Sequence, residues 1–519
     1  MIIEDRNLGR IEVTTVSIPE GYLPLSATYT YAGKLLVHCR KEKSAPEESQ
    51  LLVMEDDGSG ARVIFDGVLP VSGHANGIRF MPYYDDTRIL LGDSILECEP
   101  NISECRRTNL VPLEYPWGLA EDESVFCHWS EIIISPDNEH IAWTTLGKGF
   151  TAACIGTLVR REDRYVIENA RVLNEAEMSR PDPAHPGCDI LPVMRGGEVK
   201  QFVHGGLAIS AVGAVSPGTA DSVVFDLTSE GTEQITRTPG YEETTMFSPD
   251  ETLGLVMSPR FSPKTSMAVF GTLPRPGGAM PTLGIARYLY SYSVSTVRSF
   301  RKGNIGPALI EIGRSMEEPG YMGVCLADPE ERWVYCSPLS WHPDSCRGLW
   351  NEVERGTENH RIRKVRLLDR KPGIPVEAKP TPVSLPYGCG YEEFRAAIAE
   401  QKKVPEHRFK IAGKEEGYLY LTLTDNRTEA VYAHYSEDGR TFWDGTENLQ
   451  YSLMQDTVYT ADVEMTGEQS GEMKLRATFT GFAQRALRLV FDTAQDGKPA
   501  SYGYARCGDV LRKIEDLKG

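Results

Sequence analysis

A short phrase recurs along this chain: an apolar strand, a turn reading Ser-Pro-Asp or a close variant, and a second apolar strand. The clearest copy is EIIISPDNEHIAW, Glu131 to Trp143. TMFSPDETLGLVM (Thr245 to Met257) and LSWHPDSCRGLW (Leu339 to Trp350) repeat it. GIRFMPYYDDTRILL (Gly77 to Leu91) lengthens the turn, and TYTYAGKLLV (Thr28 to Val37) degrades it. Proline presets φ and aspartate closes an Asx turn, so each phrase is a hairpin with a local cause. A recurring hairpin constrains the fold strongly, because each copy leaves a face that only a neighbouring copy can bury.

The turn positions Tyr31, Pro82 and Pro136 are 51 and 54 residues apart, one four-stranded blade each. Pro136 to Pro249 spans 113 residues, about two blades, with residues 199–237 supplying the missing four strands. Pro249 to Pro343 spans 94 residues, one blade with an insertion or two blades. The expected fold is therefore all-β: a six- or seven-bladed β-propeller over residues 1–370, with residues 9–17 supplying a strand that closes the ring. An insertion near 279–318 places Leu289, Tyr292, Val297 and Phe300 at helical spacing, as a helix on the rim or a lid over a pocket. Residues 371–388 carry Pro372, Pro375, Pro380, Pro382 and Pro386 and read as a linker. Alternating strands after it predict a small antiparallel, sandwich-like β-domain over 389–519; His434 and Trp443 read there as core or rim packing.

A net charge of −19 argues against a nucleic-acid or anionic-membrane surface. With 40% hydrophobic and 25% charged residues the chain has an ordinary globular balance. The 11 cysteines show no metal-finger spacing, which points to reduced thiols. The start MIIEDRNLGRIEV has no basic segment leading into an apolar run, and no apolar stretch reaches the ~20 residues of a span, so a soluble cytoplasmic protein is expected. Neither a P-loop nor a dinucleotide fingerprint occurs, so no nucleotide cofactor is expected.

Propeller geometry sends residues just before each blade's first strand, and just after its second, to one channel mouth. His74 and His128 each lie eight residues before a turn proline, which makes them equivalent in adjacent blades. Tyr241, Glu242 and Glu243 occupy the corresponding place in a later copy, and His204 precedes a strand in the unanchored blade. Second strands end at Asp93, at Arg260, and at Asn351, Glu352 and Arg355. Polar mouths are also simply wet, and histidines at strand starts often cap a neighbouring strand. Read as chemistry, His74, His128, Glu242, Glu243 and Glu352 are the catalytic candidates. Arg260, Asn351, Arg355, Asp93 and Tyr241 are the substrate-binding ones. His74, His128 and His204 could hold a divalent metal such as Mn, Zn or Ca; without one, Glu242 or Glu243 with Glu352 could act as acid and base on a glycoside. His342, in the serine position of its turn, reads as structural, and so does His140.

SQLLVMEDDGSGARVIFDG (Ser49 to Gly67) supplies the outer hairpin that, with the Ser-Pro-Asp turns, resembles the TolB-type propeller family in patches over 20–370. That resemblance implies the fold and leaves function open. The candidate mouth histidines also resemble the oligogalacturonate lyases, which implies a metal at His74, His128 and His204 that acidifies a proton beside a uronate carboxylate. The function expected is a carbohydrate-active enzyme, lyase or hydrolase, acting on a small glycoside or oligosaccharide. The alternative is a non-catalytic propeller that binds a protein or glycan. RILLGDSILE (Arg88 to Glu97) and Asp182-Pro-Ala-His185 resemble blocks of the SGNH esterases, which would make Ser94 a nucleophile, although the interval between them is rich in strands. The residues leave the oligomeric state open.

Overall fold

The computed structural model describes all residues except 46, 69–79, 193–196, 214–218, 277–279, 453, 482–487, 494–496 and 519. His74 lies outside the described residues. The hairpin phrases form the inner halves of successive antiparallel sheets. The first blade is Tyr22–Tyr29, Leu35–Lys41, Glu48–Met54 and Arg62–Val68; the second is Met81–Pro82, Arg88–Leu90, Ser94–Glu99 and Arg107–Glu114. The third is Val125–Ile134, His140–Gly147, Phe150–Arg160 and Tyr165–Val172. Its outer strand pairs in parallel with that of the second, through Leu113 with Tyr165 and Glu114 with Val166. The fourth is Val199–Val203, Ala208–Gly213, Asp221–Asp226 and Thr232–Gln234. Thr245–Phe247, Leu253–Val256, Ala308–Glu311 and Val324–Cys325 make the fifth.

A last sheet holds Trp333–Trp341, Arg347–Glu354 and His360–Leu367, and its next strand comes from the other end of the chain: Gly9–Thr15, with Ile11 opposite Leu367 and Thr15 opposite Arg363. The N-terminal strand thus closes the ring, as its alternation predicted. Hydrophobic burial runs between sheets: Leu36, Leu51 and Val53 pack with Ile89, Leu91 and Leu96, and Val37 and Leu52 pack with Leu349 and Ile362 across the closure. Each blade covers the face its neighbour leaves bare.

Five inner hairpins share one turn. The residue three after the turn's start donates its N–H back to the starting carbonyl: Gly33 to Thr30, Asp86 to Tyr83, Asn138 to Ser135, Glu251 to Ser248 and Ser345 to His342. All five closing residues have positive φ, from 55 to 79°, which Gly adopts freely and Asn or Asp tolerates. In this register the equivalent of Pro136 in the second blade is Tyr84, whereas Pro82 lies in the strand. The tyrosine pair agrees: Tyr31 and Tyr84, in equivalent positions, stack at 3.9 Å and 22°. The equivalence expected between His74 and His128 therefore slips by two residues. In the fourth blade the turn is His204–Gly206, whose three residues all have positive φ.

Residues 370–387 cross the face that carries these turns. Gly373 N–H donates to Asp344 O (2.9 Å), Val376 to Pro249 O (2.8 Å) and Lys379 to Gly205 O (2.9 Å). Thr381 N–H donates to Asp137 Oδ2 at 2.8 Å, and its hydroxyl meets Ser135 Oγ. The proline-rich stretch is thus a strap laid over four blades. Beyond it, helix Tyr391–Gln401 buries Tyr391 and Phe394 against the third blade.

The strands from Glu406–Ala412 to Val510–Lys513 form one eight-stranded antiparallel sheet in simple chain order. The layer on its inner face is the insertion of the fifth blade. Phe270, Leu273, Tyr288 and Leu289 pack there among Leu421, Tyr459, Met473 and Phe479. The insertion thus faces two ways: these residues join the core of the C-terminal sheet, whereas Val294 and Val297 pack among the blades with Leu255, Tyr335 and Trp350. No helix among the described residues is long and apolar enough to cross a membrane.

Candidate active site in the channel

The blades' first strands surround a cavity of about 210 Å³. Its floor is made by the turns, through Tyr31, Tyr84, Pro136, Pro249 and Pro343, and is closed by Pro375, Val376 and Ala378 of the strap. Phe80, Met246, Phe247 and Trp341 give it a largely apolar wall, into which Glu131 and Lys200 bring charge.

These two belong to a cluster at the end of the channel away from the turns. Lys200 Nζ lies 3.1 Å from Glu131 Oε1, 2.8 Å from Glu198 Oε2 and 3.1 Å from Glu243 Oε1. Neighbouring first strands position three of the four: Glu131 is in the first strand of the third blade, Lys200 in that of the fourth, and Glu243 just precedes that of the fifth. The side chains of Lys200, Glu131 and Glu243 are under 10% exposed, whereas Glu198 is 31% exposed and marks the open side. Oxygens of the three carboxylates lie within 4.8 Å of one another. Glu243 Oε2 is buried and has no hydrogen-bond partner. Burial, opposed by Lys200 and reinforced by the charges of Glu198 and Glu131, holds the Glu243 carboxyl above the usual range. The insertion adds Tyr290, whose hydroxyl is pushed up to about 12 by burial and then by Glu243. Tyr290 packs on Tyr241 at 6.3 Å, and Arg298 donates from Nε to Tyr335 O at 2.9 Å.

The other candidates are placed elsewhere. Glu242 is ion-paired with Arg260, accepting from its Nε at 2.8 Å and from the hydroxyls of Thr238 (2.6 Å) and Ser258 (2.7 Å). Arg260 also holds the carbonyls of Tyr321 and Met322 at 3.1 Å, so this pair braces a loop inside the fifth blade. Glu352 accepts from Trp350 Nε1 (2.8 Å) and pairs with Arg361 at 2.6 Å. Asn351 stitches the ring closure, accepting from Ala27 N–H at 2.9 Å and donating to Pro338 O at 3.1 Å. Arg355 donates to the carbonyls of Gly303 (2.7 Å) and Glu331 (2.6 Å) and of Val297 and Arg301, which ties down the insertion. Tyr241 is buried in the core beneath the insertion. Of the sequence candidates among the described residues, only Glu243 joins the cluster.

His128 bonds Asp93 in a hollow between the second and third blades, at 2.6 Å. His204 lies on the turn face, bonded to Glu251 through Nδ1 at 2.8 Å. These two histidines do not share a site, and the described residues do not assemble the metal-ligand set that the lyase resemblance implied. The glutamate cluster does not fit a divalent ion either, because the Lys200 ammonium already stands at hydrogen-bond distance from all three carboxylates. Ser94 is buried in its blade, and His185 is bonded to Asp182 at 2.7 Å. No hydrogen bond among the described residues joins that pair to Ser94.

The strand order and the cluster define an all-β propeller protein with a charged site inside its channel. Among solved structures it is similar to TolB from Acinetobacter baumannii, at 10% identity over 69% of this chain and 65% of that one, with a TM-score of 0.30. It is similar also to an oligogalacturonate lyase in complex with manganese, at 10% identity over 71% and 96% of the two chains, with a TM-score of 0.29. A prolyl endopeptidase matches at 8% identity over 94% and 55%, with a TM-score of 0.31. The chain spans just under two thirds of the length of the Acinetobacter TolB. No family model matches the sequence, and no curated protein does.

Proposed function

We propose that this protein is a carbohydrate-active enzyme that hydrolyses a small neutral glycoside at the channel end where Glu131, Lys200 and Glu243 meet. The observation that carries the reading is the buried Oε2 of Glu243, which has no hydrogen-bond partner among the described residues, while Oε1 lies 3.1 Å from Lys200 Nζ. Burial and like charges make the Glu243 carboxyl hold its proton more tightly than usual, as a group that donates to a leaving glycosidic oxygen requires. Glu131, held by the Lys200 ammonium, is the carboxylate that attacks the anomeric carbon. Separation within 4.8 Å favours direct attack with retention, because an interposed water needs about 6.5–9.5 Å between carboxyl groups. The charges of Glu198 and Glu131 already push the Glu243 carboxyl up, so an anionic uronate beside it is disfavoured. The aromatic wall of Phe80, Phe247 and Trp341 suits the apolar face of a sugar ring.

The test is turnover of a panel of 4-nitrophenyl glycosides by the wild type, Glu243→Gln and Glu131→Gln. Loss of at least about 100-fold in kcat in both variants, with their melting temperatures retained, is the expected result. Saccharide binding without turnover in the wild type would overturn the enzyme and leave the non-catalytic, glycan-binding propeller.

A further inference from the structure

The channel cavity is closed at the turn face, where Pro375, Val376 and Ala378 of the strap line it. The strap is fixed to the turns beside that plug: Val376 N–H donates to Pro249 O at 2.8 Å and Lys379 N–H to Gly205 O at 2.9 Å. At about 210 Å³ the cavity is smaller than the roughly 300 Å³ at which pockets for drug-sized ligands begin. It has room for one pyranose ring and not for two. Its wall combines the rings of Phe80, Phe247 and Trp341 with the hydroxyls of Thr28, Ser337 and Ser340. Ser340 Oγ accepts from Thr28 Oγ1 and from Tyr29 N–H, both at 3.0 Å, and its own proton goes to no described residue. Ser340 is buried, so the wall holds an unspent donor suited to a sugar hydroxyl.

The two carboxyl groups of the hydrolytic pair stand differently toward this cavity: Glu131 lines it, and Glu243 does not. Nucleophile and acid flank the scissile bond, so the ring that Glu131 attacks lies inside the cavity. The leaving group departs toward Glu198, the most exposed carboxylate of the cluster at 31%. We propose that the enzyme acts only on chain ends, drawing the non-reducing terminal sugar into the closed channel and releasing it singly, which rests on the hydrolytic role given to Glu131 and Glu243. Glu131 displaces the glycosidic oxygen, which leaves as an alcohol carrying the Glu243 proton, and water then frees the sugar from Glu131. A second sugar beyond the ring would have to occupy the space of the strap, so an internal glycosidic bond does not reach the carboxyl groups.

The test pairs each 4-nitrophenyl hexoside of a panel with its 4,6-O-benzylidene derivative, which is capped at the end of the ring away from the anomeric carbon. The full chain should release nitrophenol from the capped member with kcat/KM lower by at least about 100-fold. Val376→Gly thins the plug and should recover about tenfold of that loss, which separates a steric limit from the hydroxyls the cap removes. Its melting temperature, read alongside, shows that the fold is kept. Equal turnover of capped and uncapped substrates, or no recovery in Val376→Gly, overturns the proposal while the hydrolytic reading stands. Absence of turnover in every pair overturns the hydrolytic reading and this inference with it.

Discussion

Lys200 Nζ lies 3.1 Å from Glu243 Oε1 in a cluster where three carboxylates share one ammonium. Buried charges persist only when paired, and Glu243 feels the charges of Glu198, Glu131 and Arg298 as well as that of Lys200. A cluster of coupled charges of this kind has energetics that depend on pH.

Glu243 should report that dependence. Its folded carboxyl titrates above the unfolded value of about 4.3, so the folded state binds the proton more tightly. Its contribution to stability is fully present below the unfolded value and is lost as pH rises through the folded one. Urea unfolding of the wild type and Glu243→Gln should thus converge near pH 4 and diverge above it, with the variant gaining relative stability. Curves that stay parallel from pH 4 to 8 would contradict the assignment.

Lys200→Met should act in the opposite sense. It leaves three carboxylates without their cation, and breaking a buried charge network in this way costs about 3–5 kcal/mol. The loss should be largest at neutral pH and should shrink as acid protonates the carboxyls. Adding Glu243→Gln to Lys200→Met should recover part of it, and a double-mutant cycle measures the coupling.

The blades were legible because each turn is a local device: Ser-Pro-Asp closed by a residue at positive φ needs no tertiary help. The second blade misled for a local reason too. Pro82 looks like the turn proline, yet the turn begins at Tyr83 and closes at Asp86. That slip of two residues is what made His74 and His128 look equivalent. The cluster was mostly missed because Glu131 borders the apolar run IIIS and Lys200 stands inside VKQFV, where a single charge reads as an exposed face. The available signal was a charge four or five residues ahead of the turn in three successive blades, at 131, 200 and 243, which a ring must bring together. Nothing local announced that the insertion would become the core of the C-terminal sheet, since that contact joins segments over 100 residues apart.

That core contains a second buried charge pair, and it predicts how the two parts depend on each other. Arg275 Nε of the insertion lies 2.7 Å from Glu447 Oε1 of the sheet, with both side chains fully buried. Tyr432 and Tyr459 also donate to Glu447, at 2.9 and 2.7 Å. Glu447→Ala strands a guanidinium and two hydroxyls and should cost about 3–5 kcal/mol. If the insertion is seated by this pair, amide exchange should accelerate over 280–299 as well as in the sheet. Acceleration in the sheet alone would show that the insertion holds itself on the propeller.

The strap offers the last prediction. Thr381 donates through its hydroxyl to Gly206 O at 3.1 Å, and its N–H donates to Asp137 Oδ2 at 2.8 Å. Asp137 also bonds His140 Nδ1 at 2.8 Å and is held well below the ordinary carboxylate range. Burial opposes that shift, and the hydrogen bonds from His140, Thr381 and Glu139 outweigh it. Thr381→Val keeps the side-chain volume and removes the hydroxyl, so the cost should be about 1–3 kcal/mol from the buried acceptors it leaves unmet. A depressed carboxylate contributes stability that is present above its unfolded value, about 3.9, and is lost as pH falls through the folded one. Asp137→Asn should therefore weaken the strap at neutral pH and matter less in strong acid. Limited proteolysis after Glu377, with a glutamate-specific protease, measures it directly: both variants should be cut faster than the wild type at pH 7. If cleavage there is unchanged while global stability falls, the strap is held by its apolar contacts at Pro375, Val376 and Ala378, and the turn hydrogen bonds do not control it.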